Sequence, residues 1–273
     1  MTDAELEAFA RLLSVCRRLR GPDGCPWDRE QTLETMTPYL TEEAAESVDA
    51  IGSGSQDDTI EELGDLLFLA LFCLELSEER WGVGIAAALD RASDKLVRRH
   101  PHVYGDKRLQ DGESAFQQWQ EIKKAEKAGR AEPASLIGEI PKALPALVAS
   151  FRVQEKAAAV GFDWPDSEGP LAKVREEVEE IDQALHRASP DARHTASEIG
   201  DLLFATVNLS RHLKIDPERE LRMATKRFRD RFLHVEQRLG EQGRTPRDAT
   251  LEEMDQLWDE AKRLAHGQEE DPR

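Results

Sequence analysis

Cysteine is scarce in this 273-residue chain, and its three thiols, Cys16, Cys25 and Cys73, show no paired metal-ligand spacing. An odd, unpatterned set argues against a disulfide framework and reads as reduced thiols in a cytoplasmic protein. Residues 1–9 are acidic and lack the basic and apolar regions of a signal peptide. Long apolar runs are missing too. The longest, residues 66–74, is too short to span a bilayer as a helix and is expected in a buried core. Positive charge is in deficit, with 37 basic against 55 acidic residues and a net charge of −18. A field of that sign repels a phosphate backbone and an anionic lipid surface, so neither nucleic acid nor membrane is an expected partner. Phosphate chemistry, if present, needs a local site or a divalent cation. β-Branched alternation bounded by hairpin signals is absent, as are a P-loop, a GxGxxG motif and a zinc-like spacing among the seven histidines.

What is present is repetition. Glu61-Glu62-Leu63-Gly64-Asp65-Leu66-Leu67-Phe68 recurs as Ser197-Glu198-Ile199-Gly200-Asp201-Leu202-Leu203-Phe204. Upstream, Glu42-Glu43-Ala44-Ala45-Glu46 has a counterpart in Glu176-Glu177-Val178-Glu179-Glu180. Lys95 and Arg99 match Arg227 and Arg231, Gly24-Cys25-Pro26-Trp27 pairs loosely with Gly161-Phe162-Asp163-Trp164, and Trp119 pairs with Trp258. The displacement is 132 to 139 residues throughout, too long for a solenoid and right for a duplicated domain. Gly129, Pro133, Gly138, Pro141 and Pro145 interrupt periodicity between the copies. The domains are therefore expected at residues 1–130 and 131–273.

Each copy reads as helical. Leu6, Phe9, Leu12, Leu13, Cys16 and Leu19 recur at three-to-four spacing, as do Val174, Val178, Ile181 and Leu185. Thr37-Pro38 and Ser189-Pro190 read as an N-cap followed by a first-turn proline. The Gly-Asp-Leu-Leu-Phe helices are apolar nearly all round, which predicts central helices. The fold class is all-α, built from tandem helical bundles.

Glu43 and Glu46 are three apart, as are Glu62 and Asp65, Glu177 and Glu180, and Glu198 and Asp201. Such pairs share a helix face. If the two helices of each copy are antiparallel neighbours, four carboxylates converge, a set that repels itself unless a cation compensates. Hard oxygen donors suit Mg²⁺ or Mn²⁺, shared with substrate phosphates. A di-iron site is disfavoured, since no Glu-x-x-His lies beside either cluster and Asp191-x-x-His194 is a lone near-match. Salt bridges to Lys95, Arg99, Arg227 and Arg231 compete with the metal reading, and the same cations suit phosphate oxygens. Gly64 and Gly200, mid-helix in both copies, suggest close approach by a helix or ligand. Trp27 and Trp164 follow turns rich in Gly and Pro. Core packing is their ordinary fate, and stacking on a nucleobase is the alternative.

The Glu-Glu-x-x-Glu element, the Glu-x-x-Asp element and the ordered set GCPWD, ELGDLLF, RRHPHV, VGFDW and IGDLLFATVNLSRHL resemble the two-domain members of the MazG nucleotide pyrophosphohydrolase family along nearly the whole chain. The resemblance implies homodimers of packed bundles and Mg²⁺-dependent hydrolysis of nucleoside triphosphates to monophosphate and pyrophosphate, with broad or house-cleaning specificity. It maps catalysis and metal ligation onto Glu177, Glu180, Glu198 and Asp201, with Glu43, Glu46, Glu62 and Asp65 as the equivalents in the first copy. Phosphate and base contacts map onto Arg227, Arg231, Lys156 and Trp164, and Lys95 and Arg99 in the first copy. Where similar proteins carry A-N-x-K-F, this chain reads Ala224-Thr225-Lys226-Arg227-Phe228. Two other functions fit parts of the pattern: a narrow dUTP- or dCTP-type pyrophosphatase, and a non-enzymatic helical module that binds divalent ions.

Overall fold

The computed structural model describes residues 2–105, 109, 111–128, 137–187 and 191–269. Contacts divide the chain into two compact units, Met1–Pro133 and Ala134–Arg273. The expected boundary at 130/131 lies outside the described residues. Among the described residues there are only helices, turns and loops, so the chain is all-α as its periodicity requires.

In the first unit, α1 (Asp3–Arg20) leads to the short α2 (Pro26–Glu30), then α3 (Thr37–Ser53) and α4 (Gln56–Trp81). Beyond these come α5 (Ile85–Arg99), α6 (Pro101–Tyr104) and α7 (Gly112–Ala128). α3 stops because Gly54 takes a left-handed φ of 76°, and α4 starts at once because Ser55 accepts the Asp58 N–H. A two-residue link of this kind folds α3 back on α4. Ser47 Oγ donates to the Glu62 carbonyl at 3.2 Å, and Glu43 faces Asp65, so the pair is antiparallel. Two apolar clusters hold the unit together. Met36, Leu69, Phe72 and Leu76 form one, and Cys16, Leu71 and Ile85 the other, with Phe9, Leu12 and Leu13 of α1 packed on it.

The second unit runs α8 (Ala146–Ala158), α9 (Glu168–Leu185), α10 (Ala192–His212), α11 (Pro217–Gly240) and α12 (Leu251–Glu269). Its closest-packed pair is α9 with α10, the counterpart of α3 with α4.

Several expectations need correction. Thr37 is the first residue of α3 and not its cap; its hydroxyl donates to the Leu33 carbonyl at 3.3 Å. Ser189-Pro190 lies outside the described residues, and Asp191 caps α10 through the Arg193 N–H. The repeated helices are not apolar-buried all round. Leu63, Leu67, Ile199, Leu203 and Phe204 are exposed, although Leu69, Leu71 and Phe72 are buried as predicted. Gly64 and Gly200 have open space where a Cβ would sit, so among the described residues no helix of their own unit packs on them. They lie beside the exposed apolar residues, which explains why no neighbour within the unit meets them. The three cysteines are free. No helix among the described residues is long and apolar enough to cross a membrane.

Candidate metal and nucleotide site

In the second unit, Glu177 and Glu180 of α9 and Glu198 of α10 bring one carboxylate oxygen each within 4.8 Å of the others. Glu177 is 3 % exposed and Glu198 9 %. Charges this deep need compensation, and two neighbours supply part of it. Lys173 Nζ lies 2.5 Å from Glu177 Oε1, one helical turn away, and also touches Glu176 at 2.8 Å. His194 Nδ1 lies 3.0 Å from Glu198 Oε1, again one turn away. The Lys173 ammonium is held well above its ordinary pKa by Glu176 and then Glu177. Compensation is incomplete, however. Glu177 Oε2 is buried with no hydrogen-bond partner. Burial, a hydrogen bond with Glu198 and the Glu177 charge push the Glu180 carboxyl above its usual range.

The first unit repeats the arrangement with Glu43 of α3 and Glu62 and Asp65 of α4, also within 4.8 Å. Glu43 Oε2 is buried and unpartnered. Burial, followed by the Glu46, Asp65 and Glu62 charges, raises the Glu43 pKa, and burial with Glu46 and Asp65 raises that of Glu62. The positions four residues before Glu43 and Glu62 hold Tyr39 and Asp58, where the second unit has Lys173 and His194. A cleft of about 240 Å³ adjoins Glu43 and Asp65, with Trp27, Tyr39 and Phe72 among its walls. Trp27 meets Tyr39 edge-on at 5.7 Å between centroids.

Three of each predicted four carboxylates thus come together. The fourth differs: Glu46 is exposed on α3 and acts through its charge, and Asp201 is exposed on α10. The predicted cations are spread more widely. Lys156 on α8 donates to the Glu139 carbonyl at 3.1 Å. Arg227 is exposed on α11, and Arg231 lies 5.8 Å over the Trp258 ring. Lys95 is exposed on α5, while Arg99 binds Glu126 at 2.7 Å and pulls that carboxyl down to about 2, with Arg98 helping. Core packing is not the fate of Trp27 and Trp164, which are each about half exposed. Lys173 and His194 were missed in the sequence. Their signal was the spacing of four to Glu177 and Glu198, which places them on the same face.

Trp164 sits in the turn before α9. Its ring covers Gly169, where a Cβ would come within 2.5 Å of it. Asp163 beside it accepts from the Trp164 N–H at 2.9 Å and from Arg211 Nη1 of α10 at 2.9 Å, and meets His212 Nε2 at 2.9 Å. Burial works to raise the Asp163 pKa, but Arg211, His212 and the Trp164 N–H outweigh it and hold the carboxyl low.

Paired acidic helices of this geometry, twice in one chain, can hold a hard divalent cation against a polyphosphate. Residues 31–104 match the model of the MazG nucleotide pyrophosphohydrolase domain. The nucleoside triphosphate pyrophosphohydrolase/pyrophosphatase MazG of Thermotoga maritima is 42 % identical over 254 residues, 93 % of this chain and 95 % of that one. The chain belongs to the MazG family of nucleoside triphosphate pyrophosphohydrolases. The nucleoside triphosphate pyrophosphohydrolase of Escherichia coli K12 is 40 % identical, again over 93 % of this chain and 96 % of its own length. Bacillus subtilis YabN is 42 % identical over the same share of this chain, which spans 51 % of that protein. The MazG domain match covers the whole carboxylate set of the first unit, Glu43, Glu46, Glu62 and Asp65.

Proposed function

We propose that the second unit hydrolyses nucleoside triphosphates to monophosphate and pyrophosphate, with Mg²⁺ held by Glu177, Glu180 and Glu198 and with broad specificity. The observation that carries the reading is the buried, unpartnered Glu177 Oε2 inside a cluster of three carboxylates. A lone buried carboxylate oxygen is costly, and a hard cation is the partner its chemistry suits. Asp201, one turn beyond Glu198, is the fourth candidate ligand once a cation draws it in. Mn²⁺ suits the same donors.

A bound divalent cation neutralises triphosphate charge and acidifies water, the two demands of attack on an anhydride phosphorus. The chain's own residues do the remainder. A carboxylate oxygen of the cluster that the cation leaves free accepts the proton of an attacking water. Lys173, already against the carboxylates, carries phosphate charge, and Arg227 and Arg231 offer guanidiniums from α11. Trp164 offers a half-exposed ring for the base. The first unit has the carboxylates and an aromatic cleft and is read as a second divalent-ion site, with Lys95 and Arg99 on its basic face. Exposed Leu63, Leu67, Ile199 and Leu203 occupy equivalent positions in the two copies and are read as homodimer faces.

The test is product analysis on the purified chain with Mg²⁺ and a panel of canonical and modified nucleoside triphosphates. Monophosphate plus pyrophosphate is expected, without orthophosphate. Glu198→Gln is expected to lower turnover at least 100-fold, the order seen when a transition-state contact is removed, with helix content unchanged. Orthophosphate alone, or full activity in Glu198→Gln, overturns the assignment.

A further inference from the structure

We infer that Asp163, Arg211 and Gly169 are positioning residues that seat the Trp164 ring as a nucleobase platform at the head of α9. The inference rests on the reading of the second unit as the hydrolysing site. Gly169, Lys173 and Glu177 are four apart and share one face of α9. Trp164 lies on the first and the carboxylate cluster on the last, with the Lys173 ammonium between them. Eight residues of helix span about 12 Å, comparable to the reach of a nucleotide from its base to its terminal phosphate. The ring is therefore placed for a base whose phosphates lie against Lys173 and the carboxylates.

What holds the ring there is specific. The only residue that lets it rest on α9 is glycine at 169, since a Cβ would overlap ring atoms Cε3, Cδ2 and Cγ, all within 3 Å. From the other side, Asp163 ties the Trp164 backbone to α10 through Arg211, whose guanidinium takes both carboxylate oxygens and is steadied by Asn208 Oδ1 at 2.9 Å. Arg211 and His212 are only 13 % and 11 % exposed, so this is an internal brace. The first unit ties down its own tryptophan turn by a similar device. Arg20, 12 % exposed, holds the Asp28 carbonyl beside Trp27 at 2.5 Å and pairs with Glu79 of α4 at 2.6 Å. Two unrelated residue pairs thus do one task in the two copies, which points to the placement of the ring as the shared requirement.

Gly169→Ala in the full chain separates placement from stability. Gly169 is the second residue of α9 and the ring it seats is already half exposed, so displacing the ring should lower the melting temperature by only a few degrees. Its KM for ATP, GTP, CTP and UTP should rise about tenfold, the scale of one lost base–aromatic stack, with kcat within twofold. Preference among the four bases should flatten. Trp164→Leu should give the same rise, and the double variant should be no worse than Trp164→Leu alone. Asp163→Asn should follow the same pattern; should it fail to fold, Arg211→Lys, which keeps the charge but not the two-pronged bond, replaces it. An unchanged KM in Gly169→Ala, or additive losses in the double variant, overturns the platform while leaving the hydrolase reading intact. A wild-type chain that releases no pyrophosphate from any nucleotide overturns both.

Discussion

Glu180 shows what a crowded carboxylate costs before any cation arrives. Its pKa is raised above 4.5 by burial, by its hydrogen bond with Glu198 and by the Glu177 charge. A carboxyl whose folded pKa exceeds its unfolded one holds its proton more tightly when folded. Its contribution is then favourable at low pH and is lost as the pH rises from about 4.5 upward. Metal-free Glu180→Gln is therefore expected to melt higher than wild type at pH 8 and equally at pH 4. Saturating Mg²⁺ should reverse the difference, because on the proposed site the ion relieves the repulsion and Glu180 is one of its ligands. Equal melting temperatures at pH 8 without metal would show that the repulsion is not felt. Glu43 and Glu62 are raised in the same direction, so Mg²⁺ should also stabilise the first unit, by about 2.7 kcal/mol at a concentration of 100 Kd.

At the scale of elements, the antiparallel pair is the unit of construction, and its inner faces decide stability. Phe72 is 1 % exposed and packs with Met36, Leu69 and Leu76. Phe72→Ala is expected to destabilise the first unit by about 3–5 kcal/mol in urea unfolding; a loss under 1 kcal/mol would show that this cluster is not its core. Much of this level was legible in the chain. Three-to-four spacing located α1 and α9, and the spacing of three between Glu177 and Glu180 put both on one face. Helix-local rules also explain why Lys173 and His194 could have been found. They could not reveal that Asp201 stays exposed while Glu198 turns inward, because that depends on the rotation of α10 against α9. Nor could they pair Arg211 with Asp163, 48 residues away, since such a contact exists only after packing. The glycines at 64 and 200 meet no packed neighbour of their own unit for a related reason. Their absence of a side chain is visible in sequence, but which side of the helix faces the unit's interior is not.

At the scale of the molecule, the surface is strongly acidic, yet it carries apolar side chains at matched places in both copies. Leu203 is 53 % exposed and Ile199 48 %, flanking the open Gly200. Side chains of this size left to water in a repeated position are what a second copy would cover. On the proposed homodimer, Leu203→Asp is expected to shift dimer to monomer in light scattering coupled to size exclusion. A wild-type monomer at high concentration would remove the dimer reading without touching the site chemistry.

The two carboxylate clusters differ in one more respect that reaches past catalysis. Lys173 gives the second cluster a cation and His194 a ring nitrogen 3.0 Å from Glu198, both from its own helices, whereas Tyr39 and Asp58 give the first neither, and Asp58 sets a further negative charge near Glu62. The duplicated halves therefore serve as each other's engineering control. Grafting Tyr39→Lys with Asp58→His into the first half gives its cluster a cation of its own, and the reverse exchange in the second makes that cluster depend on the surrounding electrolyte, inside a single polypeptide and with every clustered residue kept.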